Sequence, residues 1–284
     1  MFLQPATLNA AIDLLAQHGG KLLAGGTDIF PALGQTALAS PMIDISRLPE
    51  LCAITTGADT IRLGAGATWS EIVAAPLPAG FDALKAAARE IGSIQIQNRG
   101  TIGGNLCNAS PAADSVPPLL TLDARVELVS PRGMREMPLS AFIRGNRQTA
   151  LAADEIVTAV LVPRENGDFI SHFSKLGARR YLVISIAMIA VALKRAADGA
   201  IAQARIAIGS CSAVALRLPE LEAALVGCRS VTDIATRVTI ARLGGLSPID
   251  DVRASAGYRR DAALILVRRA VQDCFEKRTA TVGR

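Results

Sequence analysis

Two glycine pairs constrain this chain more than any other feature. Gly25-Gly26 follows the short apolar stretch Leu22-Leu23-Ala24 and runs into Thr27-Asp28, whereas Gly103-Gly104 follows Thr101-Ile102 and runs into Asn105-Leu106-Cys107-Asn108. Glycine lets a backbone turn with positive φ and come close to a ligand. Successive N–H groups in such a turn form a concave nest for an anion. Two such loops, about 75 residues apart, suggest one extended phosphate-bearing ligand, a diphosphate, held from both sides. Each loop also has a plainer reading. The first could be an ordinary strand-to-helix turn with Asp28 as N-cap, and the second a tight loop whose asparagines satisfy their own backbone. Neither is a Walker A loop or a G-x-G-x-x-G fingerprint. The nearest approach, Gly64-Ala65-Gly66-Ala67-Thr68-Trp69, lacks the third glycine, so an ordinary Rossmann or P-loop route is disfavoured.

The pattern around these loops is mixed helix and strand. Leu8, Ala11, Ile12 and Leu15 recur at helical spacing between Thr7, a plausible N-cap, and Gly19, a plausible stop. Short strands are expected at residues 21–24, 42–45, 60–66, 124–129 and 156–162, with an alanine-rich helix over 81–91 and a glycine- and asparagine-rich loop over 98–110. Pro131-Arg132-Gly133 is a turn signal. The apolar run Tyr181–Leu193, broken only by Ser185, reads as part of a buried strand. At 13 residues it is well short of the ~20 that span a bilayer. Further strands are expected over 169–176, 183–193 and 204–209, followed mainly by helix. The last helix, 255–277, puts Ala263, Val267, Ala270, Val271 and Cys274 on one face. Three α+β subdomains are expected: 1–55, 56–166 and 167–284.

Composition excludes several chemistries. The chain has 284 residues, half of them hydrophobic but only 4% aromatic, so its core must be aliphatic. Its formal charge of +5 resides entirely in residues 253–284, which hold eight basic and three acidic side chains. A nucleic-acid groove would spread that charge and interleave aromatics, so a solvated or partner-facing basic helix is expected, with no nucleic-acid partner. The five cysteines are scattered, without a C-x-x-C pair, so no zinc site, iron–sulfur ligand set or disulfide framework can be read. Isolated thiols fit a reducing cytoplasm. Two histidines leave almost nothing for a Ser-His-Asp triad or a histidine-rich metal site. No catalytic or metal-ligating side chain is assigned, and neither a signal peptide nor a membrane span is expected.

Ser110-Pro111-Ala112-Ala113-Asp114-Ser115-Val116-Pro117-Pro118 offers the Asp114 carboxylate for ligand hydroxyls, or Asp114 or Ser115 as the cap of a proline-initiated helix. Together with Ala24-Gly25-Gly26-Thr27-Asp28, Thr101-Ile102-Gly103-Gly104-Asn105, Asp123-Ala124, Asp154-Glu155-Ile156-Val157 and Arg253-Ala254-Ser255-Ala256-x-Tyr258-Arg259, it resembles the FAD-binding subunit of molybdenum hydroxylases. These are the xanthine dehydrogenase and aerobic carbon monoxide dehydrogenase type, and the order and spacing agree over the whole chain.

The resemblance implies an α+β fold: a two-subdomain FAD-binding domain of the vanillyl-alcohol-oxidase type, then a flavoprotein C-terminal domain. Leu22, Leu23, Ala24, Gly25, Gly26, Thr27 and Asp28, with Thr101, Ile102, Gly103, Gly104 and Asn105, would cradle the FAD diphosphate. Asp114 falls where the family has an FAD-contacting aspartate. Val157 falls beside the isoalloxazine, and Lys175 where a lysine would stabilise negative charge on reduced flavin. The bland alternatives are core packing for Val157 and a solvated strand position for Lys175. The resemblance further implies an iron–sulfur small subunit carrying 2Fe–2S clusters, a molybdopterin large subunit, and NAD or another electron acceptor. Xanthine or another purine is the expected substrate class of the complex. The alternative is a self-contained FAD-dependent oxidoreductase acting on its own organic substrate.

Overall fold

The computed structural model describes residues 1–34, 36 and 40–277. The chain forms two units, each assembled from separate stretches: 1–75, 91–110 and 123–164 make the first, and 76–90, 111–122 and the residues from 165 onward make the second. Both units are discontinuous in sequence, because residues 76–90 and 111–122 join the C-terminal part. The reason lies in where those two stretches bury their apolar side chains, described below with the second unit.

In the first unit the helix Leu8–His18 forms as expected. The Thr7 hydroxyl accepts from the Ala10 amide, and Gly19, at φ +60°, ends the helix. Ala11, Ile12 and Leu15 bury against Ile43, Ile45, Leu48 and Leu51. The helix thus covers a parallel sheet of β1 (Phe2–Leu3), β2 (Lys21–Leu23) and β3 (Met42–Asp44), with β3 in the middle. There follow β4 (Ile54–Thr56), β5 (Thr60–Gly64), β6 (Arg125–Ser130), β7 (Gly133–Pro138), the small β8–β9 hairpin (Ile143–Gly145 and Gln148–Thr149) and β10 (Ile156–Pro163). Five of these make an antiparallel sheet in the order β4-β5-β10-β6-β7.

Central β10 is buried from Ile156 to Val162, and charge pairs fix its entry. Arg132 pairs with Asp154, while Arg135 grips both Glu155 oxygens at 2.6 and 2.8 Å. The Ala152 amide also donates to Glu155, at 2.8 Å. The Asp154-Glu155-Ile156-Val157 motif therefore sets the register of a buried strand.

The second unit is built on an antiparallel sheet ordered β11 (Ile170–Leu176), β12 (Ala187–Arg195), β13 (Ile201–Gly209) and β14 (Leu216–Arg217). Both faces of β12 are covered. Ala187, Ile189, Val191 and Leu193 join the core under the C-terminal helices, including Val267, Ala270, Val271 and Cys274 of the long helix Ala256–Glu276. The alternate residues Met188 and Ala190, with Phe173, meet Ala83 and Ala87 of the helix Asp82–Glu90. The helix Val116–Thr121, whose residues are all buried, packs over β12 and β13. This two-sided burial pulls residues 76–90 and 111–122 into the unit.

Three local expectations need correction. The strand expected from Tyr181 or Val183 starts only at Ala187. Tyr181, Leu182 and Ile184 are exposed, and Arg179 donates to the Tyr181 and Leu182 carbonyls, which holds Leu182 at φ +52° in a turn. The residues 98–110 are no loop, because they contain the helix Ile102–Asn108. The basic C-terminal stretch is not uniformly solvated, since Arg259 is buried. Arg278 and Arg284 lie outside the described residues. Among the described residues no helix is long and apolar enough to cross a membrane.

Arg135, through its hydrogen bonds, holds the Glu155 carboxyl below its ordinary value of 4.5. The unfolded chain therefore takes up the proton first as pH falls. The stabilisation is fully present above about pH 4.5 and is lost as pH drops through the lower folded value. We expect Glu155→Gln to destabilise the protein by about 1–3 kcal/mol at neutral pH. In denaturant unfolding the gap to wild type should close in acid.

Candidate functional site

The first glycine segment leaves the carboxyl end of a parallel strand, where open α/β sheets characteristically bind ligands. Leu23 is buried, and Leu22 and Ala24 pack against the core beneath helix Leu8–His18, so these three anchor the turn. A Cβ on Gly25 would lie 1.8 Å from the Arg99 carbonyl oxygen, so only glycine permits the chain to run there. Gly26 takes φ +75°, the left-handed region that glycine enters without strain. Among the described residues, the backbone N–H groups of Gly25, Gly26, Thr27 and Asp28 meet no protein acceptor. Four consecutive open amides at a strand end are the nest that an anion requires.

Asp28 stands at the N-cap of the helix Ile29–Leu33, but its side chain makes no capping bond. Its Oδ1 instead accepts from Asn108 Nδ2 at 3.0 Å, and Arg147 donates to Asn108 Oδ1. The turn is thereby pinned to the end of the second glycine segment.

That second segment differs from the expected loop. Thr101 is the N-cap of helix Ile102–Asn108, and its Oγ1 accepts from the Gly104 amide at 3.1 Å. The Ile102 and Gly103 amides donate to the Ala67 and Ala65 carbonyls at 3.0 and 2.8 Å, and the Asn105 amide to the Thr101 carbonyl at 3.0 Å. These N–H groups are therefore spent within the protein. Glycine overcomes its poor helix propensity at 103 because an added Cβ would sit 2.7 Å from the Ala65 Cβ. Gly104 is exposed. The two segments do meet: a Cβ on Gly100 would lie 3.4 Å from Thr27 Oγ1. The Thr27 hydroxyl and the open amides thus lie alongside the chain entering Thr101, and this cradle fits a diphosphate.

Val157, at a bulge of β10 against β6, is buried in the same unit.

Asp114 and Lys175 belong to the second unit and form an ion pair. Phe173 faces the helix Asp82–Glu90, so Lys175, two residues on in β11, faces the same way. Its Nζ lies 2.6 Å from Asp114 Oδ2 and 3.5 Å from the Glu90 carbonyl at the end of that helix. Ser185 Oγ donates to Asp114 Oδ1 at 2.5 Å. Both charged side chains are under 10% exposed. Burial pushes the Asp114 carboxyl above its ordinary value, opposed by the Lys175 charge and the two hydrogen bonds. Of the two residues that could cap the helix Val116–Thr121, Ser115 takes the N-cap position, without a side-chain capping bond, and Lys175 is not solvated. Removing one partner from such a pair typically costs ~3–5 kcal/mol.

Ser185, Asn108 and Arg147 join these constellations without having been assigned to them from sequence. Ser185 had a signal, as the one serine in an apolar run. Arg147, 39 residues from Asn108, had none.

The family of FAD binding domains in molybdopterin dehydrogenases matches residues 1–165, and the carbon monoxide dehydrogenase flavoprotein C-terminal domain matches residues 172–274. The chain is 35% identical to the nicotine 6-hydroxylase medium subunit of Paenarthrobacter nicotinovorans, over 95% of each chain. It is 38% identical to the nicotinate dehydrogenase FAD-subunit of Eubacterium barkeri, over 80% of this chain and 79% of that one. Among solved structures, a carbon monoxide dehydrogenase chain from Hydrogenophaga pseudoflava superposes with a TM-score of 0.85 at 30% identity, covering 96% of both. The mixed helix-and-strand fold, the two matched domains and these relatives agree: this chain belongs to the FAD-binding medium-subunit family of the molybdopterin dehydrogenases.

Proposed function

We propose that this chain is the electron-transfer subunit of a cytoplasmic molybdenum hydroxylase complex and holds its FAD through the glycine cradle. The observation that carries the reading is the run of four open amides, Gly25 to Asp28, at the carboxyl end of β2, inside the segment that matches the FAD-binding family. The N–H groups of this run bind the diphosphate, with the Thr27 hydroxyl beside them. Thr101 contributes its hydroxyl proton, and the exposed Gly104 backbone leaves room for close approach. To Val157 we assign packing near the flavin, and to Asp114 and Lys175 the adjustment of its electronics through charge.

FAD, when bound, supplies the redox chemistry, so no general acid or base need come from this chain. FAD held here would carry electrons between an iron–sulfur small subunit, itself served by a molybdopterin large subunit, and NAD or another acceptor. The substrate class we favour is a nitrogen heteroaromatic, with a purine such as xanthine first. The names of the nicotine and nicotinate relatives support that class, and the stretches Ser130–Gly133 and Asn105–Asn108 incline it toward purine-dehydrogenase relatives.

The test is the visible spectrum of the purified chain. Bound FAD that dithionite bleaches and candidate heterocycles do not, until partner subunits are added, is the expected result. Direct bleaching of the isolated chain by an organic substrate would establish the self-contained oxidoreductase instead. Gly104→Val and Asn105→Ala should each lower the ratio of released FAD to protein several-fold while circular dichroism stays unchanged. Full flavin content in either folded variant would remove the second segment from the site.

The exposed Arg269 on helix Ala256–Glu276 is proposed to face a partner subunit. Arg268 is less suited to a test, because its Nε donates to the Val238 carbonyl at 3.1 Å. Arg269→Glu should reduce co-purification of the partners without changing the thermal midpoint. Unchanged co-purification would take that helix out of the interface.

A further inference from the structure

We infer that Arg259 is a positioning residue for the Asp114–Lys175–Ser185 cluster, an inference that rests on the proposed placement of that cluster beside the flavin. Arg259 is 3% exposed, although it sits in the most basic part of the chain. Its Nη1 donates to the Ile186 carbonyl at 2.6 Å and to the Ser210 carbonyl at 3.0 Å, and its Nη2 to Asp251 Oδ1 at 2.7 Å. Each of the two carbonyls lies one step from the cluster. Ile186 follows Ser185, whose hydroxyl donates to Asp114. The Ser210 amide donates to the Pro111 carbonyl at 3.1 Å, three residues before Asp114. One guanidinium therefore fixes both chain segments that deliver the donor and acceptor of that bond.

The arrangement is kept at a cost to stability. Ser210 has φ +61° without being glycine, and its Oγ and the Arg259 Nε are buried without partners. Buried polar atoms are ordinarily satisfied, and strained, unsatisfied geometry collects where a site needs it. Asp251, itself held by the Arg253 and Ala254 amides, locks the guanidinium plane. Lysine cannot reproduce this fork, because it offers a point charge rather than spaced coplanar donors.

The experiment measures the FAD midpoint potential and visible spectrum in the holo complex for Lys175→Met, Arg259→Lys, Ser185→Ala and the Arg259→Lys/Ser185→Ala double variant. Lys175→Met removes a positive charge and should lower the potential. Arg259→Lys should lower it too, by leaving Asp114 without its hydroxyl donor and turning it further onto Lys175. The double variant should shift no further than Ser185→Ala alone, because residues acting through one bond are non-additive. A shift for Lys175→Met with none for Arg259→Lys, or full additivity in the double variant, overturns the inference. No shift for Lys175→Met overturns the placement of the cluster near flavin, and this inference with it. Should Arg259→Lys not fold in the complex, Asp251→Asn, which weakens the same guanidinium lock, replaces it with the same expected direction and the same overturning results.

Discussion

Direct contact of backbone on backbone, possible only where a side chain is missing, joins the two glycine segments of the first unit to their neighbours. A Cβ on Gly25 would stand 1.8 Å from the Arg99 carbonyl oxygen, and one on Gly103 would stand 2.8 Å from the Ala65 carbonyl oxygen. These contacts let the turn after β2 and the start of helix Ile102–Asn108 share one surface. They also divide the hydrogen-bonding work. The helix spends its first amides on Ala67, Ala65 and Thr101, which makes it rigid. The turn keeps four amides unspent, which makes it a receptor for negative charge. A cradle of this kind needs both halves: one segment satisfied enough to stay in place, and another left open for the ligand.

The second unit solves a different problem, that of keeping charge inside an aliphatic core. Its central strand is covered on both faces, and the layer over one face comes from chain segments far from it in sequence. Asp114 and Lys175 sit at the margin of that layer, where desolvation would be prohibitive for either alone. The pair survives because the geometry is close, at 2.6 Å, and because Ser185 satisfies the other carboxylate oxygen. A buried ion pair of this kind is by itself weak support for stability. Arg259 repeats the pattern elsewhere in the same unit, its charge matched by Asp251 and two carbonyls.

The same residues thus serve packing and chemistry together. Glu155 and Asp154 read as part of a recurring motif, yet in the structure they anchor the entry of β10, the strand that carries Val157. Asp28 looked like a helix cap and turns out to bind Asn108, which ties the open turn to the closed helix.

The amino-acid sequence alone determined most of the element types, the place of the first glycine turn and the family. Helical spacing over Leu8–Leu15, the paired glycines after a strand and the ordered set of motifs are local patterns, and local patterns survive without a fold. The Thr7 cap was equally legible, since a cap needs only its own next turn. What only the tertiary structure decided were matters of distance between remote residues. Nothing local marks which amides stay open, because that depends on Ala65 and Ala67 reaching Ile102 and Gly103. Nor does spacing reveal that residues 76–90 and 111–122 bury against the C-terminal sheet, that Lys175 is paired rather than solvated, or that one arginine of a basic tail lies in the core. Burial and pairing are properties of the folded surroundings, and a side chain carries no record of them until those surroundings close around it.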